Sequence, residues 1–266
     1  MSWLSLFGAE KFLLFTLVLT RVTGLTMTAP IYGTRDVPAQ VRVLLSVALA
    51  ALVTPTQWHV AVAWPQNIPT YAVLIGGEVI IGVCLGLGIM VLVQGMQLAG
   101  ELIGQVAGIQ LAELYDPAAD ANVPLFSRLM FLVTLAVFVA IGGHRLVMAG
   151  LLDTFQHIPP GGAGLPDAIA EAFVLLLTES FALALRAAAP VLAALVMATL
   201  VLGLIGRTVP QLNVLVVGLN LNALLTFAAL ALSLGGAAWA FQEQVQPALE
   251  TLLDALGARP PTSGAA

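Results

Sequence analysis

Charge is scarce in this chain. Only 9% of its 266 residues are charged, against about 25% in ordinary soluble domains, while 60% are hydrophobic and the mean hydropathy is +1.02. That balance excludes a water-solvated globule and places the chain in the membrane class. The few charges sum to −5, and no Lys/Arg cluster exists to follow a phosphate backbone, so nucleic acid is not an expected partner. There is one cysteine, Cys84, inside an apolar run. An intrachain disulfide framework and a cysteine-based metal site are excluded, and Cys84 reads as a small buried hydrophobe. His59, His144 and His157 are separated by turns and prolines, without neighbours at metal-ligand spacing. Phosphate-loop, zinc-protease, nucleophile-elbow and calcium-loop motifs are missing as well. Neither a catalytic centre nor a cofactor is expected, and energy for any transport must come from elsewhere.

What the chain does have is long apolar runs, at residues 12–32, 41–53, 71–93, 125–141, 168–206 and 212–239. They predict an all-α, membrane-class fold of six or seven apolar helices. A bilayer-crossing helix needs roughly 17–25 residues, so the run at 41–53 is too short. The run at 168–206 is long enough for a hairpin bent near Pro190. Arginines are scattered singly, and no positive-inside alternation emerges. Proline and glycine place linkers at 55–69, 116–124 and 158–166. The first apolar run leads to Arg21 and a turn rather than to a small-residue cleavage site, so the N-terminus is expected to remain as a first helix and not as a signal peptide.

Polar residues inside apolar runs carry the functional signal. Gln94, Gln97, Glu101 and Gln105 recur at spacings of three and four, which puts them on one helical face. Beside them Gly100, Gly104 and Gly108 recur every fourth residue, a spacing that lets another backbone approach closely. Such a helix suits a protein partner or a water-filled lumen; an ordinary packed helix pair is the simpler reading. Glu78, Glu179 and Arg186 also lie within apolar runs. A charge at bilayer depth costs at least about 2.5–3.5 kcal/mol on insertion scales, so each is expected to meet a fixed partner on a neighbouring helix or subunit. Glu179 and Arg186 are seven apart, too far for a local pair. A proton relay from Glu78 would need a partner such as His144, which nothing in the sequence places beside it. Between Arg207 and Gly218, Pro210, Gln211 and Asn213 interrupt two apolar runs. Backbone groups freed by the proline must be satisfied inside protein, so this bend is expected at a subunit contact.

The ordered set Arg21, Gly24, Pro30, Gly33 and Pro38, then Glu78, Gly82 and Gly86, Asp116-Pro117-Ala118, Gly142-Gly143-His144, Ser180-Phe181, Pro190 and Pro210-Gln211-Leu212-Asn213 to Gly218 resembles the FliR family of flagellar export proteins. That family is related to the T subunit of injectisomes. The chain departs from the family pattern at Asn220 and Asn222. The resemblance implies helical hairpins packed with FliP-like and FliQ-like subunits into an export-gate ring of the bacterial inner membrane and flagellar basal body. The helices of that ring are raised largely out of the bilayer. It implies passage of unfolded flagellar proteins, and a loop at 110–124, with Gln110, Leu111, Leu114, Tyr115, Asp116, Pro117 and Asp120, that plugs the closed lumen. Read without the family, that loop is a solvated turn. One domain is expected over 1–258, followed by a polar tail at 259–266. Within it an amphipathic helix at 242–256 has Val245, Leu249, Leu252, Leu253 and Leu256 on one side, which the resemblance places at the periphery against an FlhB-like neighbour. Injectisome use, or a self-contained transporter built around Glu78, Glu179 and Arg186, are the alternatives.

Overall fold

The computed structural model describes residues 8–33, 37–108, 124–162, 168–208 and 214–258. Among them are seven α-helices and no strand: α1 Ala9–Thr28, α2 Ala39–Val53, α3 Ile68–Ala107, α4 Leu125–Ala140, α5 Gly143–His157, α6 Ala168–Thr208 and α7 Val214–Ala255. Five helical segments are long and apolar enough to cross a membrane, or six if α4 and α5 count as one broken span.

Four boundaries differ from the sequence reading. The run at 41–53 does not stop at Val53: a 3₁₀ turn, Thr54–Gln57, prolongs it, and the 19 residues Ala39–Gln57 reach spanning length. Pro55 falls in the first positions of that turn, where no backbone donor is needed. The expected hairpin at 168–206 is instead one helix of 41 residues that passes straight through Pro190. A single proline removes one backbone hydrogen bond, and the apolar run on both sides outweighs it. Likewise the polar ridge at 94–105 continues the preceding apolar run within the 40-residue α3, and the segment 242–256 is the last third of the 42-residue α7.

The chain divides into two compact units. The first comprises residues 1–91, 142–176 and 245–266, and the second 92–141 and 177–244. In the first unit α1 packs against both α2 and α3. Thr26 and Ser46 share a 2.6 Å hydroxyl hydrogen bond between α1 and α2. Between α1 and α3 the contact is backbone to backbone. A Cβ on Gly24 would lie 2.8 Å from the Val79 carbonyl oxygen, and one on Gly82 would fall on the Arg21 carbonyl. Apolar helices gain little from leaving lipid, so close van der Waals packing through small residues supplies the association. The unit is closed by the end of α7, whose Val245, Leu249, Leu252, Leu253 and Leu256 are all buried. Leu252 lies over Gly88, and Leu249 over Gly150. In the second unit Gly95 of α3 abuts the Ser180 backbone of α6, and Gly100 abuts Phe126 at the start of α4. Phe126 and Phe227 add a ring contact at 5.3 Å.

Just after α1, Ile31 has φ +80. A β-branched residue in this left-handed region is strained, because its Cβ crowds the carbonyl. The turn is held by a 2.8 Å hydrogen bond from the Gly33 N–H to the Ala29 carbonyl. Ile31→Gly is expected to stabilise the protein by about 1 kcal/mol, read as a higher midpoint of thermal unfolding in detergent. Gly82→Ala is expected to destabilise it by about 1–3 kcal/mol, the usual cost of overpacking. An unchanged midpoint for Gly82→Ala would show that α1 and α3 can part without loss.

Candidate functional site

Arg21 lies mid-way along α1 and Glu78 in the third turn of α3, each completely buried in the first unit. The Arg21 Nε–H donates to Glu78 Oε2 at 2.6 Å. Nη1 donates to Thr154 Oγ1 at 3.2 Å and to the Ile158 carbonyl at 3.0 Å. The guanidinium also stands 4.3 Å from the centre of the Phe155 ring, a favourable cation–π geometry. Ile158 caps the C-terminus of α5, where carbonyls lack helical partners and a cation is welcome. The second carboxylate oxygen of Glu78 accepts the Gly161 N–H at 2.8 Å. Gly161 has φ +84, a conformation that suits glycine and turns this amide toward Glu78. One ion pair thus joins α1, α3, the end of α5 and the turn that follows it.

Chemically this is a clamp. Both carboxylate oxygens are engaged, and Arg21 supplies a permanent positive charge. His144 has a buried Nδ1 without a partner among the described residues, and Glu78 faces Arg21 instead. Of the two kinds of partner expected for Glu78, a neighbouring helix or another subunit, the chain itself supplies the first: Glu78 is sealed inside it against Arg21. Arg21 as that partner was not singled out from the sequence. The available signal was a lone arginine and a lone glutamate of opposite sign in two apolar runs.

The polar ridge occupies the part of α3 within the second unit. Gln94 and Gln105 are exposed, and Gln97 and Glu101 are half-buried. Gln105 Nε2 donates to Glu101 Oε1 at 3.4 Å, one turn away. Gly100 and Gly104 are buried, whereas Gly108, with φ +76, ends the helix in place of extending the packing groove. Glu179 is half-buried and Arg186 exposed on α6, and neither forms an ion pair with a described residue. Gln110, Leu111, Leu114, Tyr115, Asp116, Pro117 and Asp120, together with Pro210, Gln211 and Asn213, lie outside the described residues. The apolar side of 242–256 is intrachain core and not a free docking face, since Leu249 and Leu253 are only 6% and 5% exposed.

Residues 12–248 match the family model of bacterial export proteins, family 1. The chain belongs to this family, that of FliR. It is 32% identical over 225 residues to the flagellar biosynthetic protein FliR of Bacillus subtilis (strain 168), covering 82% of this chain and 85% of that protein. It is 31% identical over 231 residues to the FliR of Escherichia coli (strain K12), covering 84% and 81%. The FliR of Aquifex aeolicus (strain VF5) is 30% identical over 234 residues, covering 85% and 87%. As a FliR-family member with several membrane-length apolar helices, this is a membrane protein of flagellar biosynthesis and export. The matched region holds Arg21, Glu78, the polar ridge and Arg186.

Removing one partner of a buried ion pair strands the other charge, at a cost of about 3–5 kcal/mol. Glu78→Gln and Arg21→Gln are each expected to lose stability on that scale in detergent, whereas the paired change Arg21→Met with Glu78→Leu should recover most of it. A double variant that shows the sum of the two single losses would mean that the residues do not act as a pair. Leu253→Lys should also lower the unfolding midpoint of the isolated chain, since it puts a charge into the core; a shift seen only with partner proteins present would restore the docking reading.

Proposed function

We propose that this chain is a structural core subunit of the flagellar type III export gate. It forms, with FliP-like and FliQ-like subunits, the channel through which unfolded flagellar proteins leave the cell. The observation that carries this reading is the ridge of Gln94, Gln97, Glu101 and Gln105, half-buried or exposed on a helix that is otherwise apolar. Beyond the single bond between Gln105 and Glu101, lipid would leave the polar atoms of this ridge without hydrogen-bond partners; a wetted lumen or a polar neighbour satisfies them. Large apolar side chains support the same reading. Met197, Leu200 and Leu204 on α6, and Leu224 and Leu232 on α7, are 60–88% exposed, an area that must be covered by other subunits or by lipid. Glu179 and Arg186 then belong at subunit contacts, as does the bend at Pro210, Gln211 and Asn213. The segment 110–124 acts as the displaceable plug, an FlhB-like protein is the outer neighbour, and the site of action is the inner membrane at the flagellar basal body.

Co-expression with the FliP-like and FliQ-like proteins of the same bacterium, followed by affinity purification and imaging, tests the assembly. A single ring-shaped particle is expected, with the chain alone shorter-lived in detergent than within the particle; a chain that stays a monodisperse monomer in the presence of both partners would refute the reading. Deleting residues 110–124 should leave the ring assembled but leaky to small dyes, because regions that must open are held weakly. A deleted complex as tight as wild type would move closure to other subunits.

A further inference from the structure

Between the 3₁₀ turn and α3 the chain reads Val60-Ala61-Val62-Ala63-Trp64-Pro65, apolar or aromatic at every position. This stretch is neither helix nor turn and does not bend, so it runs extended. Burial alternates along it: Val60 and Val62 are half-buried, whereas Ala61 and Ala63 are exposed. That is the period-two pattern of a strand with one face against protein. Val62 anchors the inner face over Gly161, where a Cβ would stand 3.1 Å from Val62 Cγ1. Pro65 closes the run, since it lacks an N–H and biases Trp64 toward extended geometry.

The main chain of this strand finds no partner within the first unit. The Val60 N–H donates to the Gln57 carbonyl at 2.9 Å. Among the described residues, the amides and carbonyls of Ala61, Val62, Ala63 and Trp64 form no hydrogen bond. Two clefts border the strand. One, of about 530 Å³, is lined by residues 60–66 and by the turn at 159–162. The other is lined by Gln57, Leu152, Phe155 and Pro159 among others, and the two share Val60 and Pro159. No lysine, arginine, aspartate or glutamate lines either cleft. Gln57, only 6% exposed, keeps a buried carboxamide oxygen without a partner among the described residues.

Neither water nor hydrocarbon suits such a strand. Water leaves a run of apolar side chains uncovered, and hydrocarbon leaves the amides and carbonyls without partners. A helix packed alongside would not help, because its own backbone groups are spent within it. An extended peptide meets both demands: it offers main-chain donors and acceptors along its edge and apolar side chains at alternate positions. We infer that residues 60–64 form a docking strand, to which an extended, neutral, apolar segment of another protein adds by main-chain pairing. Its alternate side chains enter the uncharged clefts beside Pro159. The inference does not rest on the channel reading.

The test uses the full chain, freshly purified in detergent, and amide hydrogen exchange read residue by residue. The probe is an acetylated and amidated hexapeptide of alternating serine and valine; the control is the same peptide with every amide nitrogen methylated, which removes its donors and crowds its carbonyls. Without peptide, the amides of residues 61–64 should exchange as fast as solvated ones. The probe should slow alternate amides several-fold in a dose-dependent way, since only every second N–H of a strand faces a given edge, and the methylated control should slow none. Equal slowing by both peptides would reduce the contact to apolar adhesion. No slowing up to the solubility limit of the probe would leave the strand to water, and amides already slow without peptide would put it under detergent; each of these three results overturns the proposal. Ring assembly is scored separately by co-purification, so either reading can fail without the other.

Discussion

Two full charges buried where water cannot reach them impose the strictest condition on this structure. Burying an ion costs several kcal/mol even after relaxation, and the attraction between partners offsets more of this the more of the remaining lone pairs and protons are satisfied; of the pair's polar atoms only Arg21 Nη2 lacks a hydrogen-bond partner among the described residues. In the first unit Glu78 uses both oxygens, on Arg21 and on the Gly161 amide. Arg21 spends a second nitrogen on Thr154 and on the Ile158 carbonyl. These demands position α1, α3, the end of α5 and the following turn together. Displacing any one of them exposes a charge or an orphaned carbonyl. Gly161 must keep its left-handed conformation, because its amide is one of the carboxylate's donors.

Around that ion pair the helices approach through glycine. Gly24 and Gly82 let α1 and α3 meet at backbone distance, which brings the Arg21 side chain within reach of Glu78. The same device recurs in the second unit, where Gly95 and Gly100 seat α3 against Ser180 and Phe126. There the adjoining face of the helix bears glutamines and Glu101. The two halves of one 40-residue helix thus do different work. In the first unit the half-helix hides its charge against an intrachain partner, and in the second it presents polar groups outward. A lumen or a neighbouring subunit supplies the partners for the latter.

The all-helical, membrane-class character and the FliR kinship were legible in the chain alone. Charge scarcity and long apolar runs leave few alternatives, and motifs such as Gly142-Gly143-His144 keep their order along the sequence. The ridge from Gln94 to Gln105 was legible too, because helical period is a local property. Helix ends were less so: Pro190 suggested a bend and Val53 a stop, yet α6 runs on through the proline and a 3₁₀ turn prolongs α2. A proline removes one hydrogen bond, and the surrounding apolar segment decides whether that matters.

What only the tertiary structure decided was which polar groups meet. Arg21 and Glu78 are 57 residues apart, and nothing in their local sequence distinguishes a charge awaiting another subunit from one satisfied within the chain. Leu249 and Leu253 posed the same ambiguity: an apolar stripe on a helix is equally a core face and a docking face until the element opposite it is known. Periodicity fixes what a helix can bury, since it depends on neighbours three and four residues away. Pairing depends on where distant helices cross, and here that is set by a few glycines whose close approach becomes visible only in three dimensions.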